Sequence, residues 1–212
     1  MHQLSEHPRP AIEGLGAADG GAKEIHRALI DRAAPGVDPE DADMFARVLA
    51  ITVSEWRRGR GALPDLIGLD LSDLKTLRGE WFPKAPLPNL DRDRRAPLPD
   101  QAAIALLLKW KGGSRSPVSH WLADIVARRA LEPNHLWQDL GLPSRAALGT
   151  VMLRHFPRIV ALNDRKMRWK KFFYRQVCQD TGHTMCLSPV CDDCSEFESC
   201  FADEDGMARI DS

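Results

Sequence analysis

The sequence predicts an all-α protein, a helical domain of roughly six to eight helices followed by a C-terminal irregular, cysteine-rich, metal-binding loop. Three observations lead to this prediction. Apolar residues recur at helical spacing in several segments, and no segment shows strict period-two alternation bounded by turn dipeptides. Four of the five cysteines lie within residues 185–205, which are acidic and lack helical periodicity.

A long helix is predicted within residues 39–61. Asp41 and Asp43 complement the positive N-terminal end of a helix dipole, and Gly59 and Gly61 are typical of a helix stop. The apolar side chains fall at helical spacings and therefore share one face: Phe45, Val48, Leu49, Thr52 and Trp56.

Further helices follow along the chain. One begins near Ser72, and another covers residues 100–111. Ser116 is a candidate N-cap, with Pro117 at the first helical position of the next helix. A short helix then ends at Gly141, and residues 143–157 form another.

Four segments organise the chain. Residues 1–21 are predicted to be a flexible N-terminal segment, and residues 22–177 a helical domain. Five prolines in residues 83–99 predict a loop. This loop is interpreted as a long surface loop of one domain, or alternatively as a boundary between two helical lobes. Residues 178–202 form the cysteine-rich segment, and residues 203–212 an acidic tail.

The composition of the chain limits its cellular compartment and its classes of partner. No run of about 18 apolar residues occurs, so no membrane-spanning helix is expected. The first 24 residues lack the basic and apolar regions of a signal peptide, which favours the cytoplasm. Thiols stay reduced in that compartment, so clustered cysteines indicate metal rather than disulfides. The formal net charge of −1 argues against a nucleic-acid partner.

The cysteine motif carries the strongest chemical signal. Its spacing is C-x4-C-x2-C-x5-C, and the first three positions match plant-type iron–sulfur ligation. Four soft thiolates suit an iron–sulfur cluster. Structural zinc and redox-active or unliganded thiols are the alternatives, although zinc sites usually have two C-x2-C pairs with a longer spacer. The four candidate ligands are Cys186, Cys191, Cys194 and Cys200.

Two nearby residues are weaker candidates. Cys178 lies eight residues before Cys186 and is either a spare ligand or a small buried apolar residue. His183 could donate an imidazole to a metal, or it could be an exposed loop residue.

A basic stretch, residues 154–175, precedes the cysteines and is predicted to be a basic helix. It could bind an anionic partner surface or attract a small oxyanion toward the cysteines. Alternatively it is the solvated face of an amphipathic helix whose aromatic residues are partly buried. The candidate docking residues are Arg165, Lys166, Arg168, Lys170 and Lys171.

The segment MRWKKFFYRQVC, followed by MCLSPVCDDCSEFESCF, resembles the NifQ family, and the resemblance extends over roughly residues 40–202. It implies an iron–sulfur protein that processes molybdenum and donates it for the nitrogenase iron–molybdenum cofactor. The implied cofactor is a [4Fe-4S] or molybdenum–iron–sulfur cluster on the four motif cysteines. The implied partners are the assembly scaffold NifEN and the nitrogenase iron protein NifH, with molybdate or a sulfide-bound molybdenum precursor as substrate.

The sequence indicates a carrier or donor rather than an enzyme, because no Ser–His–Asp or paired-carboxylate arrangement can be defended from it. Two other functions stay open at this point. The chain could be an electron-transfer protein with an ordinary [4Fe-4S] cluster, or an interaction module stabilised by zinc.

Overall fold

The structure is a computed structural model that describes residues 21–181 except 86, 89 and 91, then residues 197–204 and 206–211. Within these residues the chain forms eleven helices and no strand, so the all-α prediction is confirmed. None of the helices in this described part is both long and apolar enough to cross a membrane.

Seven helices have nine or more residues, and four are single short turns or little more. The short ones account for the difference from the predicted number. In chain order the helices are α1 Ala22–Ile30, α2 Pro39–Arg57, α3 Leu63–Ile67, α4 Leu71–Trp81, α5 Pro99–Lys111, α6 Pro117–Arg129, α7 Leu136–Asp139, α8 Arg145–His155, α9 Pro157–Leu162, α10 Trp169–Thr181 and α11 Phe197–Phe201.

Side-chain caps mark the beginnings of several helices. The Asp38 carboxylate accepts from the backbone N–H groups of Glu40 and Asp41 at 3.0 and 3.1 Å, at the start of α2. Ser116 accepts from the N–H of Ser119 at 3.1 Å, which confirms it as the cap of α6. These bonds satisfy N–H groups that have no partner inside the helix.

The described residues share a hydrophobic core that includes most of α2. The ring of Phe45 packs edge-on against Trp81 at 5.0 Å between centroids and against Trp121 at 6.2 Å. The same cluster of buried side chains runs from Ala22 to Ile210, so it includes residues on both sides of the proline-rich loop. Among the described residues between α4 and α5 there is no helix. Edge-to-face aromatic pairs contribute beyond their buried area.

The prediction of one basic helix across residues 154–175 is wrong. Helix α8 ends at His155, and Pro157 begins the separate helix α9. The side chain of Asn163 then bonds both the backbone N–H and the carbonyl of Met167, each at 2.9 Å. Lys166 has a φ of 57°, which is incompatible with continuing a right-handed helix. A side chain therefore competes successfully for backbone groups that a helix would use.

A buried ionic network joins distant parts of the chain. Glu55 of α2 and Arg129 of α6 have side chains that are 1% and 0% exposed, and their paired bonds measure 2.8 and 3.0 Å. Asp139 of α7 accepts from Lys170 of α10 at 2.7 Å and from Arg209 at 3.0 Å. Arg209 also donates to Glu55 at 2.9 Å. Four helices and the C-terminal residues thus share one set of buried charges.

The network sets the protonation of Glu55. Burial by itself raises the pKa of this carboxyl group, but the hydrogen bonds and charges of Arg129 and Arg209 outweigh burial and hold the pKa below its ordinary value. A lowered pKa in the folded state means that the ionised group stabilises folding above the pKa of the unfolded chain. This contribution is lost as the pH falls through the folded-state pKa.

Replacing Glu55 by Gln should lower the free energy of unfolding by about 3–5 kcal/mol at pH 7, because the Arg129 guanidinium would stay buried without its anion. Urea unfolding followed by circular dichroism measures this. The difference in the free energy of unfolding should shrink as the pH falls below the ordinary glutamate pKa of about 4.3, and it should vanish only below the lowered pKa of Glu55 in the folded protein.

The matched control is Asp180→Asn, which removes the ion pair between Asp180 and Lys111, whose side chains are 45% and 40% exposed. Exposed ion pairs contribute less than about 1 kcal/mol to stability, so the free energy of unfolding of this variant should be close to that of the parent. Equal stability losses in the two variants would show that the buried network contributes no more to the free energy of unfolding than an exposed ion pair does.

Candidate metal-binding site

Cys200 is the member of the cysteine motif that the structure describes. It lies in α11 and is partly buried against the core. Cys186, Cys191 and Cys194 lie outside the described residues, as does His183. Their roles as ligands stay predictions.

Arg168 holds the backbone around Cys200. Its own N–H donates to the Cys200 carbonyl at 2.7 Å. Its guanidinium donates to three more carbonyls, those of Ser199 at 3.3 Å, Ala202 at 3.0 Å and Asp203 at 3.0 Å. The last carbonyls of a helix have no intrahelical partner, and a planar guanidinium with five N–H donors can satisfy several at once. The backbone of Cys200 is therefore fixed against the residue that precedes α10.

A second cation lies beside this helix. The Arg165 guanidinium sits over the ring of Phe201, 5.1 Å from its centroid. Cys200 thus lies at the edge of the core, in a segment that contacts two arginines.

The chain is anchored on both sides of residues 182–196. On the N-terminal side, the rings of Trp169, Phe172 and Phe173 in α10 lie 5.8–6.1 Å apart in the core. On the C-terminal side, the Glu204 carboxylate lies 3.1 Å from Arg145. Ala208 and Ile210 are also buried in the core, within the segment predicted as an acidic tail. Both flanks of the cysteine segment are consequently held by tertiary contacts.

Cys178 lies far from Cys200 along α10. The backbone of Cys200 is bonded to Arg168, and Cys178 follows Arg168 by ten residues, or about 15 Å at the helical rise. Cys178 is buried, which agrees with the interpretation as a small apolar residue. Its role as an extra ligand stays a prediction. The described part of the chain contains no group of three or more His, Cys, Asp or Glu side chains placed to hold a metal ion.

The five candidate docking residues differ in their surroundings. Arg165 and Lys166 are exposed in the loop before α10, and Lys171 is exposed on α10 itself. Arg168 and Lys170 are only partly exposed, and both are hydrogen-bonded to other parts of the chain. The Lys170 ammonium donates to the Asp139 carboxylate at 2.7 Å, to the Asn134 carbonyl at 2.6 Å and to the Glu132 carbonyl.

These three bonds use all three N–H donors of Lys170, so a docking role for it would require them to break. Burial lowers the pKa of the Lys170 ammonium, and Asp139 opposes this change in part. Docking by the five residues stays a prediction, and the geometry favours the three exposed ones.

The structure also brings together a serine, a histidine and an aspartate that the sequence did not indicate. Ser119 Oγ lies 3.1 Å from His155 Nδ1, and His155 Nε2 lies 2.9 Å from Asp41 Oδ1. Ser119 is 1% exposed and also bonds the hydroxyl groups of Ser114 and Ser116. A nucleophile needs access to substrate, so we assign this constellation to packing between α2, α6 and α8.

Comparison with known proteins identifies relatives over most of the chain. The NifQ family profile matches residues 45–202. Protein NifQ of Rhodobacter capsulatus is 47% identical over 161 residues, which cover 76% of this chain and 89% of the relative. Protein NifQ of Klebsiella pneumoniae is 39% identical over 155 residues, covering 69% and 92%. A Protein NifQ homolog of Sinorhizobium fredii is 36% identical over 170 residues, covering 78% and 74%. No solved structure matches the chain.

Replacing Arg168 by Ala should loosen the segment around Cys200 without unfolding the helical domain. Hydrogen bonds from a charged donor contribute about 1.5–3 kcal/mol each, so amide exchange in residues 197–203 should accelerate by about tenfold or more. Hydrogen–deuterium exchange with mass spectrometry measures this directly.

The control is Lys166→Ala, which removes an exposed cation from the same loop. Exchange in residues 197–203 should stay at the parent rate in this variant. A parent-like rate in Arg168→Ala would show that the guanidinium does not hold the segment.

Proposed function

The chain belongs to the NifQ family, and on that basis we propose that it is an iron–sulfur protein that processes molybdenum and donates it to the nitrogenase iron–molybdenum cofactor. Family membership implicates the chain in nitrogen fixation and in biosynthesis of that cofactor. Beyond family membership, we propose three things: the cluster, the handling of molybdenum and the residues responsible for both.

The cysteine quartet is the observation that carries the proposal. All four motif cysteines fall within residues 45–202, which match the family profile. The one that the structure describes, Cys200, lies at the core edge with its backbone held by Arg168. Cys186, Cys191, Cys194 and Cys200 are the proposed ligands of a [4Fe-4S] or molybdenum–iron–sulfur cluster.

Sulfur ligation suits the proposed task. Molybdenum offered as molybdate carries oxygen ligands, and it must exchange them for sulfur before it can join a sulfur-rich cofactor. The bound cluster would supply that sulfur environment, and soft thiolates are the protein ligands that such a centre prefers. Arg168 would hold the Cys200 end of the ligand set in place. The proposed role is that of a cytoplasmic carrier or donor, without catalytic turnover of a substrate.

Positive charge would bring the substrate or partner to this end of the chain. Molybdate is an anion, and exposed basic residues raise the local concentration of anions and speed association with acidic partners. Arg165, Lys166 and Lys171 are the exposed members of the predicted docking set. The proposed recipients are the scaffold NifEN and the iron protein NifH.

Replacing Cys191 or Cys194 by Ala should abolish cluster retention and leave the helical content intact, because the helices have their own core. Iron, molybdenum and acid-labile sulfide are measured on protein purified without oxygen from nitrogen-fixing cells. Cys178→Ala is the matched control and should keep the metal content of the parent.

The same measurements decide between the functions. Iron and molybdenum together support the donor, and iron without molybdenum supports an electron-transfer protein with an ordinary [4Fe-4S] cluster. A colourless protein that contains zinc would indicate an interaction module, because zinc is d10. Unchanged metal in both motif variants would refute the ligand assignment.

Replacing both Lys166 and Lys171 by Glu should slow molybdenum loading from molybdate several-fold at low ionic strength. The deficit should fade near 1 M salt, where the screening length is about 3 Å. Lys75→Glu, a change at an exposed position of α4, is the control for charge alone. Loading at the parent rate in the double variant at low salt would leave these two lysines without a steering role.

A further inference from the structure

A basic cleft lies between α3, the start of α5 and the end of α6. Its volume is about 470 Å³. Four arginines and two carboxylates line it: Arg60, Arg94, Arg95, Arg128, Asp65 and Glu132. These charged groups leave an excess of two positive charges. Pro64, Leu98 and Leu131 add an apolar wall.

Two of the arginines have donors to spare. The Arg94 guanidinium makes one hydrogen bond with the described residues, to the Gly68 carbonyl at 3.1 Å. Arg95 Nε lies 3.8 Å from Asp65 Oδ2, which is beyond hydrogen-bond distance, and the side chain is 82% exposed. A guanidinium has five N–H donors, so most of those on Arg94 and Arg95 are available to a ligand.

The loop that carries these arginines is held in place. Asp65 accepts from Arg92 Nη2 at 2.6 Å and from the Arg95 backbone N–H at 2.7 Å. Asp93 accepts from the backbone N–H of Leu71 at 2.8 Å, at the start of α4. The backbone between these bonds is thus fixed against α3 and α4, and the cost of ordering the loop on binding is small.

Gln101 adds a neutral polar group to the cleft. It lines the cleft and is 7% exposed, and its side-chain amide makes no hydrogen bond with the described residues. The amide is not among the buried polar atoms that lack a partner, so it is open to solvent in the cleft. It can therefore bond a polar ligand that enters there.

We propose that the cleft binds a small organic anion with two or more negative charges, a dicarboxylate or a phosphate ester. Its volume falls in the range of about 300–1,000 Å³ that is typical of small-molecule sites, and the apolar wall suits a carbon skeleton. Guanidinium groups bind carboxylate and phosphate oxygens in pairs, which Arg94 and Arg95 can do here. The Gln101 amide donates to a further ligand oxygen.

Isothermal titration calorimetry of the full chain with malate and with glycerol 3-phosphate tests the proposal. The parent should bind at least one of them saturably, with a Kd below about 1 mM at low ionic strength. The probe that binds more tightly distinguishes a carboxylate from a phosphate ligand. Binding of neither probe would overturn the proposal.

Three variants locate the binding. Arg94→Gln combined with Arg95→Gln should weaken it by about tenfold or more, and Gln101→Leu by about threefold or more, since each removes donors to the ligand. Arg115→Gln, an exposed change outside the cleft, should bind as the parent does. Parent-like affinity in the double variant would place the ligand elsewhere and refute the site. Iron content should be unaffected in all three, which separates this test from that of the cysteine ligands.

Discussion

The ion pair between Glu55 and Arg129 is the constraint on which the rest of the structure depends. Both side chains are almost completely buried in the middle of the helical core. Charges taken from water at such a place must be paired and hydrogen-bonded, or the folded state is lost. Glu55 therefore also accepts from Arg60 and Arg209. The hydrogen bonds and ion pairs of this one carboxylate bring α2, α6 and the C-terminal residues together.

This constraint extends to the cysteine segment through Asp139. That residue is bonded to both Lys170 and Arg209, which lie on opposite sides of the cysteine motif in the sequence. Holding α10 and the C-terminal residues to the same carboxylate brings the two flanks of the motif together. Arg168 then joins the beginning of α10 to the backbone of Cys200. The proposed metal cluster would gain from flanks held in this way, because their ordering would be part of folding rather than of metal binding.

Arginine has three distinct uses in this molecule. Arg129 neutralises a buried carboxylate, and Arg168 satisfies carbonyl groups at the end of a short helix. Arg94 and Arg95 instead keep most of their donors unused by the described residues. The number of acceptors around a guanidinium decides its use. It pairs with a buried carboxylate, bonds the carbonyls of a helix end, or keeps donors that a ligand could use.

The sequence alone determined the features that depend on residues close together in the chain. Apolar spacing predicted the long helices, and Ser116 was recognised as a cap. The cysteine spacing, together with the aromatic and basic segment that precedes it, indicated the family. The sequence could not show that Lys170 is hydrogen-bonded to other parts of the chain, that the basic stretch is interrupted at Lys166, or that His155 meets Asp41 and Ser119. Lys170 reaches across 31 residues to Asp139, and Glu55 across 154 to Arg209. Periodicity reports only which face of a helix is apolar, whereas the partner of a buried charge is decided when helices pack, because only then is water removed from it.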